Sequence, residues 1–324
     1  MRLRPLAALA LLALAPLAAC TGGSDAADRD AAASPTAAPT VTGTTAAPTP
    51  APRPSPTTAA APWGRGPLFP GHVLVGWAGH ELSPGLGVLG IGPLSDKARQ
   101  VRAAARAYAG PGRRPVPVFE LIATVVRGGA GDDGMYRARA DDELVGRYLA
   151  EVRRAHGLLL LGIQPGRADF LPEVQAYERW LREPDVGVAL DPEWAVGPHD
   201  LPGRVFGRTT GHELDGVAAY LSGVVRDAHL PEKVMVYHQL APQIVTGEAG
   251  LHRHPGVDIV KTVDGIGTPG AKTGTYHQVI ATRPAFVRAG FKLFRDEDRD
   301  RGGRVMRPAE VLALRPQPVY VVVE

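Results

Sequence analysis

From residue 72 onward, short apolar runs alternate with longer stretches of helical periodicity. Eight runs read as strands: 72–80, 116–125, 158–166, 186–194, 233–239, 257–265, 291–298 and 319–324. Apolar residues recur at helical spacing in 95–109, 139–156, 169–183 and 210–229, and Asp169 is placed to cap the third of these. The later connections carry weaker helical patterns, and 241–254 has almost none. Eight strands alternating with helices in one chain predict an α/β fold, a (β/α)8 TIM-type barrel. An open doubly wound sheet is the runner-up. The chain stops at Glu324, so the barrel is expected to lack a helix after its last strand.

Alternation within the strands predicts which side chains face the barrel axis. In 186–194, Val186, Val188 and Leu190 share one face, while Gly187, Ala189, Asp191 and Glu193 share the other. The branched face suits outer helices, and the small-residue face suits a crowded interior. Gly76, Ala78 and His80 repeat this pattern, as do Gly162 and Gln164. Glu120 lacks the same support, because Val116 and Val118 share its parity.

Polar residues gather where these runs end. His80, Glu120, Gln164, Asp191, Glu193, His238, Gln239, Asp264, Asp296 and Glu297 all lie at or just past carboxyl ends, where active sites of such barrels are built. Asp191 and Glu193 flank Pro192, which has no N–H for a neighbouring strand and holds Asp191 extended. Two carboxylates projecting together at a rim raise each other's pKa, giving an acid that keeps its proton near neutrality. Glycoside hydrolysis uses such a group to protonate the leaving oxygen. Glu193 is the expected acid and Asp191 its helper, with Glu297 (or Asp296) as a possible nucleophile on strand seven. His80, Glu120, Gln164, Arg167, Trp194, His238, Gln239 and Asp264 are the expected substrate-binding residues. Trp77, Trp194 and Tyr237 are placed to supply aromatic faces near the rim. A structural ion pair of Asp191 with Arg167 or His238 is the competing reading.

The ends of the chain change the picture of location. "MRLRP", an apolar stretch to Ala15 and "LAAC" form a secretory signal whose Leu17–Ala18–Ala19–Cys20 matches a lipobox. Residues 1–19 are therefore expected as a lipoprotein signal peptide and Cys20 as the lipidated N-terminus, with the lipid bilayer as a partner. Residues 20–62 are rich in Ala, Pro and Thr and are expected to be a disordered linker, of roughly 35 Å end to end. The barrel domain is then 63–324.

Cys20 is the only cysteine, which removes disulfides, thiolate catalysis and cysteine-ligated metals from the folded part. Without Arg2 and Arg4, 34 basic residues face 33 acidic ones, and nothing in that balance asks for nucleic acid or acidic lipid. Only 5 of the 36 basic residues are Lys, so arginine richness reads as compositional bias rather than a binding signature.

Other motifs carry less. "GLGVLG" (85–90) has the dinucleotide spacing but does not join strand directly to helix, and reads as a loop over the pocket. "HELDG" (212–216) lacks the second histidine of a zinc protease, and "HRH" (252–254) has no third ligand nearby. None of Ser83, Ser95 and Ser222 sits in a nucleophile elbow. No cofactor and no metal is expected, although Asp191, His238 and Asp264 would be the ligands of a metal-dependent alternative.

The D-x-E ending the fourth strand resembles chitinase-like and bacterial muramidase-like glycosidases, in which the Glu is the proton donor and the Asp assists. It departs from the first at Ala189 and Leu190, and from the second in lacking an aspartate on strand one. Together, "FELIATV", "QPGRADF", "ALDPEW", "VYHQ", "DGIGT" and "FKLFRDED" resemble an uncharacterised family of exported lipoproteins of high-GC Gram-positive bacteria with a glycoside-hydrolase-like barrel. That resemblance implies architecture and location and contributes no activity. The expectation is a lipid-anchored protein on the outer face of the membrane whose barrel hydrolyses cell-envelope or extracellular polysaccharide. The alternative is a non-catalytic surface protein that binds glycan or a protein partner.

Overall fold

A computed structural model describes residues 61–64 and 66–324. The expected signal peptide, Cys20 and all but the last two residues of the expected linker lie outside the described residues. The eight strands are β1 (His72–Gly79), β2 (Arg114–Val126), β3 (Leu158–Ile163), β4 (Val186–Leu190), β5 (Lys233–Gln239), β6 (Val257–Val263), β7 (Arg288–Leu293) and β8 (Tyr320–Val323). Each pairs in parallel with the next, and β8 pairs with β1, closing an all-parallel barrel. A short antiparallel strand, Arg137–Arg139, pairs with the last residues of β2.

Helices fill the connections: α1 (Leu94–Ala105), α2 (Asp142–Arg154), α3 (Phe170–Gln175), α4 (Glu178–Leu181), α5 (Gly211–Ala228), α6 (Pro269–Ile280), α7 (Glu297–Gly302) and α8 (Pro308–Leu312). The stretch 169–183 splits into α3 and α4. Asp169 stands at the N-cap of α3 without a side-chain hydrogen bond there. Residues 241–254 hold only a two-residue strand and a single 3-10 turn. "GLGVLG" forms two 3-10 turns with Val88 and Leu89 buried, so it is packed down rather than spread as a lid. No helix among the described residues is long and apolar enough to cross a membrane.

Two apolar layers explain the strand patterns. Val186, Val188 and Leu190 pack outward with helix residues such as Leu214, Val217 and Leu221. Leu74, Ala78, Val116, Val118, Leu158, Leu160, Ala189, Val234, Val236, Val260, Tyr320 and Val322 form the barrel interior, joined from below by Ala61, Trp63, Leu68 and Phe69. The interior is thus not built of small residues alone. Branched residues of one strand interlock with glycines of the next. At Gly290 a Cβ would stand 2.3 Å from Thr262 Oγ1, so only glycine fits. This corrects the parity argument against Glu120: Val116 and Val118 are themselves interior, and Glu120 follows them inward.

All five lysines of the chain are buried. Lys233 donates to the carbonyls of Glu183 and Val186, 2.8 Å each. Lys261 meets Glu248 at 2.7 Å, Lys272 meets Asp298 at 3.1 Å, and Lys292 meets Glu324 at 2.6 Å. Lys97 lies 5.5 Å from the Trp77 ring centre. A compact ammonium fits these internal positions, where a planar guanidinium would need a wider cleft.

Candidate active site

Most strands, β4 among them, stop earlier than their apolar runs suggest, and the site is made where they stop. β4 ends at Leu190. Pro192–Trp194 then form a 3-10 turn, with Trp194 N–H donating to Asp191 O at 3.0 Å. Pro192 ends the ladder for want of an N–H, and Asp191 stays outside the helical region at φ −109°, ψ 81°. The chain runs out through 195–206 and returns to the acid: Gly207 N–H donates to Glu193 O at 2.6 Å, and Arg208 N–H to Ala195 O at 2.9 Å.

Inward-facing positions of β2, β4, β5, β6, β7 and β8 bring the charged groups together. His238 is fully buried between three carboxylates. Its Nε2 lies 3.1 Å from Glu120 Oε1 and 4.0 Å from Asp191 Oδ1, and its Nδ1 lies 3.8 Å from Asp264 Oδ2. These are charge contacts rather than aligned hydrogen bonds, since neither ring nitrogen has a hydrogen-bond partner. Tyr320 Oη donates to Glu120 Oε2 at 2.7 Å. Lys292 Nζ and Glu324 Oε2 pair at 2.6 Å.

The balance of charge decides the protonation states. Burial raises the pKa of Glu120, but His238, Lys292 and the Tyr320 hydroxyl outweigh it and bring it down to about 2. Burial lowers that of His238, yet Glu120 and then Asp191 carry it up to about 9, so the ring is an imidazolium at neutral pH. Burial likewise opposes the charge on Lys292, but Glu324 and the other carboxylates hold it well above the usual lysine range. Glu120 and Glu324 thereby claim the two cations. Asp191, Glu193 and Asp264 are left without a dedicated counter-charge. Burial is the first cause of each rise: Asp191 goes to about 7, Asp264 rises, and Glu193 is held well above the usual carboxylate range, pushed further by Asp264 and Asp191. Asp191 Oδ1, Glu193 Oε2 and Asp264 Oδ1 have no hydrogen-bond partner. This is a proton-holding acidic centre at the C-terminal mouth of the barrel.

Several expected residues belong to this centre and several do not. Glu120, Asp191, Glu193, His238 and Asp264 converge. Glu297, expected as a nucleophile, begins α7 beyond the end of β7, and the inward place on that strand belongs to Lys292. The chain turns away because Asp298 accepts from the N–H groups of Phe294 and Gly267, at 3.0 and 3.1 Å. Asp296 is exposed, 3.7 Å from Arg295. His80 accepts from Leu82 N–H at 3.0 Å, and burial followed by Arg127 lowers its pKa to about 4, so it is a neutral turn-former. Gln164 accepts from Val126 N–H. Gln239 donates to the carbonyls of Ala241 and Pro242. Arg167 is turned away from Asp191: it donates to Asp200 O at 2.8 Å and stacks 4.3 Å from the Tyr136 ring. Trp194 is half-buried beside Glu193 in the turn. Trp77 packs outward with α1, and Tyr237 donates outward to Glu248, so neither lines the centre.

Lys292, Tyr320 and Glu324 were not expected. Their signal was parity: Lys292 alternates with Gly290, and Glu324 with Tyr320 and Val322. Asp191, His238 and Asp264 do not converge on one metal-binding point, because His238 turns Nε2 toward Asp191 and Nδ1, on the other edge of the ring, toward Asp264. No group of three or more His, Cys, Asp or Glu among the described residues is arranged to hold a metal ion.

The centre is deep. Asp191, Asp264 and Glu120 are 3–5% exposed, and Glu193 is intermediate. Two cavities, of about 330 and 390 Å³, are lined by other residues. The exposed large apolar side chains Leu82, Leu201, Val205, Phe206 and Ile266 all sit on loops following β1, β4 and β6, on the same face of the barrel as the acidic centre. No protein-family model matches this chain, and no curated protein matches it in sequence.

Proposed function

We propose that this protein hydrolyses glycosidic bonds, with Glu193 as the general acid. The observation that carries the reading is the trio Asp191, Glu193 and Asp264, buried carboxyls with raised pKa values gathered around His238 at the mouth of a closed barrel. The barrel itself is compatible with glycoside-hydrolase-like architecture and leaves the chemistry to the site. Glu193 is the least buried of the three, and burial, Asp264 and Asp191 hold its carboxyl well above the usual carboxylate range. It gives its proton to the glycosidic oxygen as the bond from the anomeric carbon breaks. Asp264, the strongest charge influence on Glu193, lies beside the developing positive charge and stabilises it when ionised. Asp191 assists by keeping the local field negative once Glu193 has discharged. Water adds to the anomeric carbon, and its proton goes to the carboxylate set.

The substrate class is polysaccharide of the cell envelope or outside it, reached by a protein tethered through an acylated Cys20. Phe206 and Trp194 are the aromatic side chains placed to lie against sugar rings. The test is a screen of the full chain against cell-wall and extracellular glycans, with Glu193→Gln beside it. Loss of a general acid lowers the rate by about 10²–10⁴-fold. Undiminished turnover in the variant would remove Glu193 from the role. The depth of Asp191, Asp264 and Glu120 favours a second reading, a glycan- or protein-binding surface protein whose acidic centre is structural. Saturable glycan binding without turnover, equal in both proteins, would select it.

A further inference from the structure

The opposite end of the barrel holds a cavity of contrary charge. It measures about 330 Å³ and lies where the strands begin. Arg102 comes from the last turn of α1, Arg106 from the 3-10 turn that continues it, and Arg114 is the first residue of β2. His72, at the start of β1, and His156, just past α2, complete its basic lining. No Asp or Glu lines it.

These arginines differ from their neighbours. Arg99 pairs with Asp96 at 2.9 Å, and Arg113 donates to the carbonyl of Pro318 at 2.6 Å. Among the described residues, Arg102, Arg106 and Arg114 have no ion pair and no side-chain hydrogen bond. Arg102 and Arg106 are four apart on one continuous helical run, so their charges face each other unrelieved. Trp63, 8% exposed in the cavity wall, has its indole Nε1 buried without a partner. Guanidinium groups concentrated in one hollow, without a carboxylate to offset them, match the paired acceptors of a phosphate oxyanion.

We propose that this cavity binds a phosphate group, as a free oxyanion or as a phosphoester, at the end of the barrel away from the acidic centre. The site is independent of the hydrolytic reading.

The test uses the full chain, with inorganic phosphate and pyrophosphate titrated at constant ionic strength against chloride. Calorimetry measures the heat and tryptophan emission reports on Trp63. The expected result is one saturable site that prefers pyrophosphate to chloride at least tenfold. Arg102→Ala, Arg106→Ala and Arg114→Ala each weaken it severalfold, and the triple variant abolishes it. Arg99→Ala, on the same helix but outside the cavity, leaves it unchanged. Trp63→Phe removes the optical change and keeps the heat. Circular dichroism confirms that each variant is folded, which is expected because the arginine side chains are exposed. Vesicles of phosphatidylglycerol, compared with phosphatidylcholine, separate the sources: arginine-dependent association that pyrophosphate displaces assigns a lipid headgroup, and pyrophosphate binding alone assigns a soluble phosphate. The proposal is overturned by no saturable binding up to about 10 mM pyrophosphate. It is equally overturned if Arg99→Ala weakens binding as much as Arg102→Ala.

Discussion

Replacing Asp191 by Asn tests the central electrostatic claim without any substrate. Asn keeps the shape and cannot ionise. In the folded protein Asp191 titrates near 7, against 3.8 for an ordinary aspartate. The unfolded chain therefore releases this proton first as pH rises, and the native state loses stability relative to it from about pH 4 until about pH 7. A rise of about three units corresponds to about 4 kcal/mol in total, and the two units between pH 4.5 and 6.5 to about 3 kcal/mol. The wild-type curve alone does not isolate this, because His80, with its pKa lowered to about 4, contributes stability in the opposite direction over the same window. The difference between variant and wild type does. Urea unfolding of both proteins at half-unit steps from pH 4.5 to 6.5 is the assay. The stability of Asp191→Asn minus that of the wild type is expected to climb by about 3 kcal/mol across the window. His238, held up to about 9, and Lys233, lowered by burial to about 7, titrate mainly above it. A difference that stays flat would mean that Asp191 is ionised at its ordinary pKa, and the proton-holding account of the acidic centre would fail.

Two other substitutions probe what holds the site in place. At Gly207 a Cβ would stand 2.2 Å from Ala195 O, so Gly207→Ala must break the clamp that returns the 195–206 loop to Glu193; a loss of about 1–3 kcal/mol in urea unfolding is expected, and an unchanged midpoint would contradict it. Glu173, fully buried, accepts from Arg137 at 2.9 Å and from two nitrogens of Arg139 at 2.8 Å. Glu173→Gln is expected to lower stability by about 3 kcal/mol and to release the short strand Arg137–Arg139, seen as faster hydrogen exchange there than in β3.

The barrel was legible because each strand is a separate apolar run, buried on both faces, and each is flanked by turn residues. The local chemistry of "ALDPEW" was legible for the same reason: Pro192 announces the end of β4 beside two carboxylates. Glu120 was harder. Its inward place depends on Val116 and Val118 filling the axis, Val118 opposite Gly76 of the neighbouring strand, a complementarity between strands that no single run displays. Lys292 and Glu324 were overlooked although alternation pointed to them, because a lysine amid "FKLF" and a terminal glutamate look like exposed charge when read alone. Glu297 misled for the converse reason. The run "FKLFRDED" carries no mark of the turn at Phe294, which is made by Asp298 reaching back and across to Gly267. The depth of the centre is likewise a property of the returning 195–208 loop and of barrel closure, not of any motif.

The inward placement of Lys97, Lys233, Lys261, Lys272 and Lys292 has a practical corollary for anyone handling the protein. Residues 1–60 contain no lysine, so the described barrel hides every ε-amine the chain owns. Dyes, crosslinkers and resins that couple to amines find no side chain to attack while the barrel is intact. Their uptake therefore counts opened molecules rather than labelled ones.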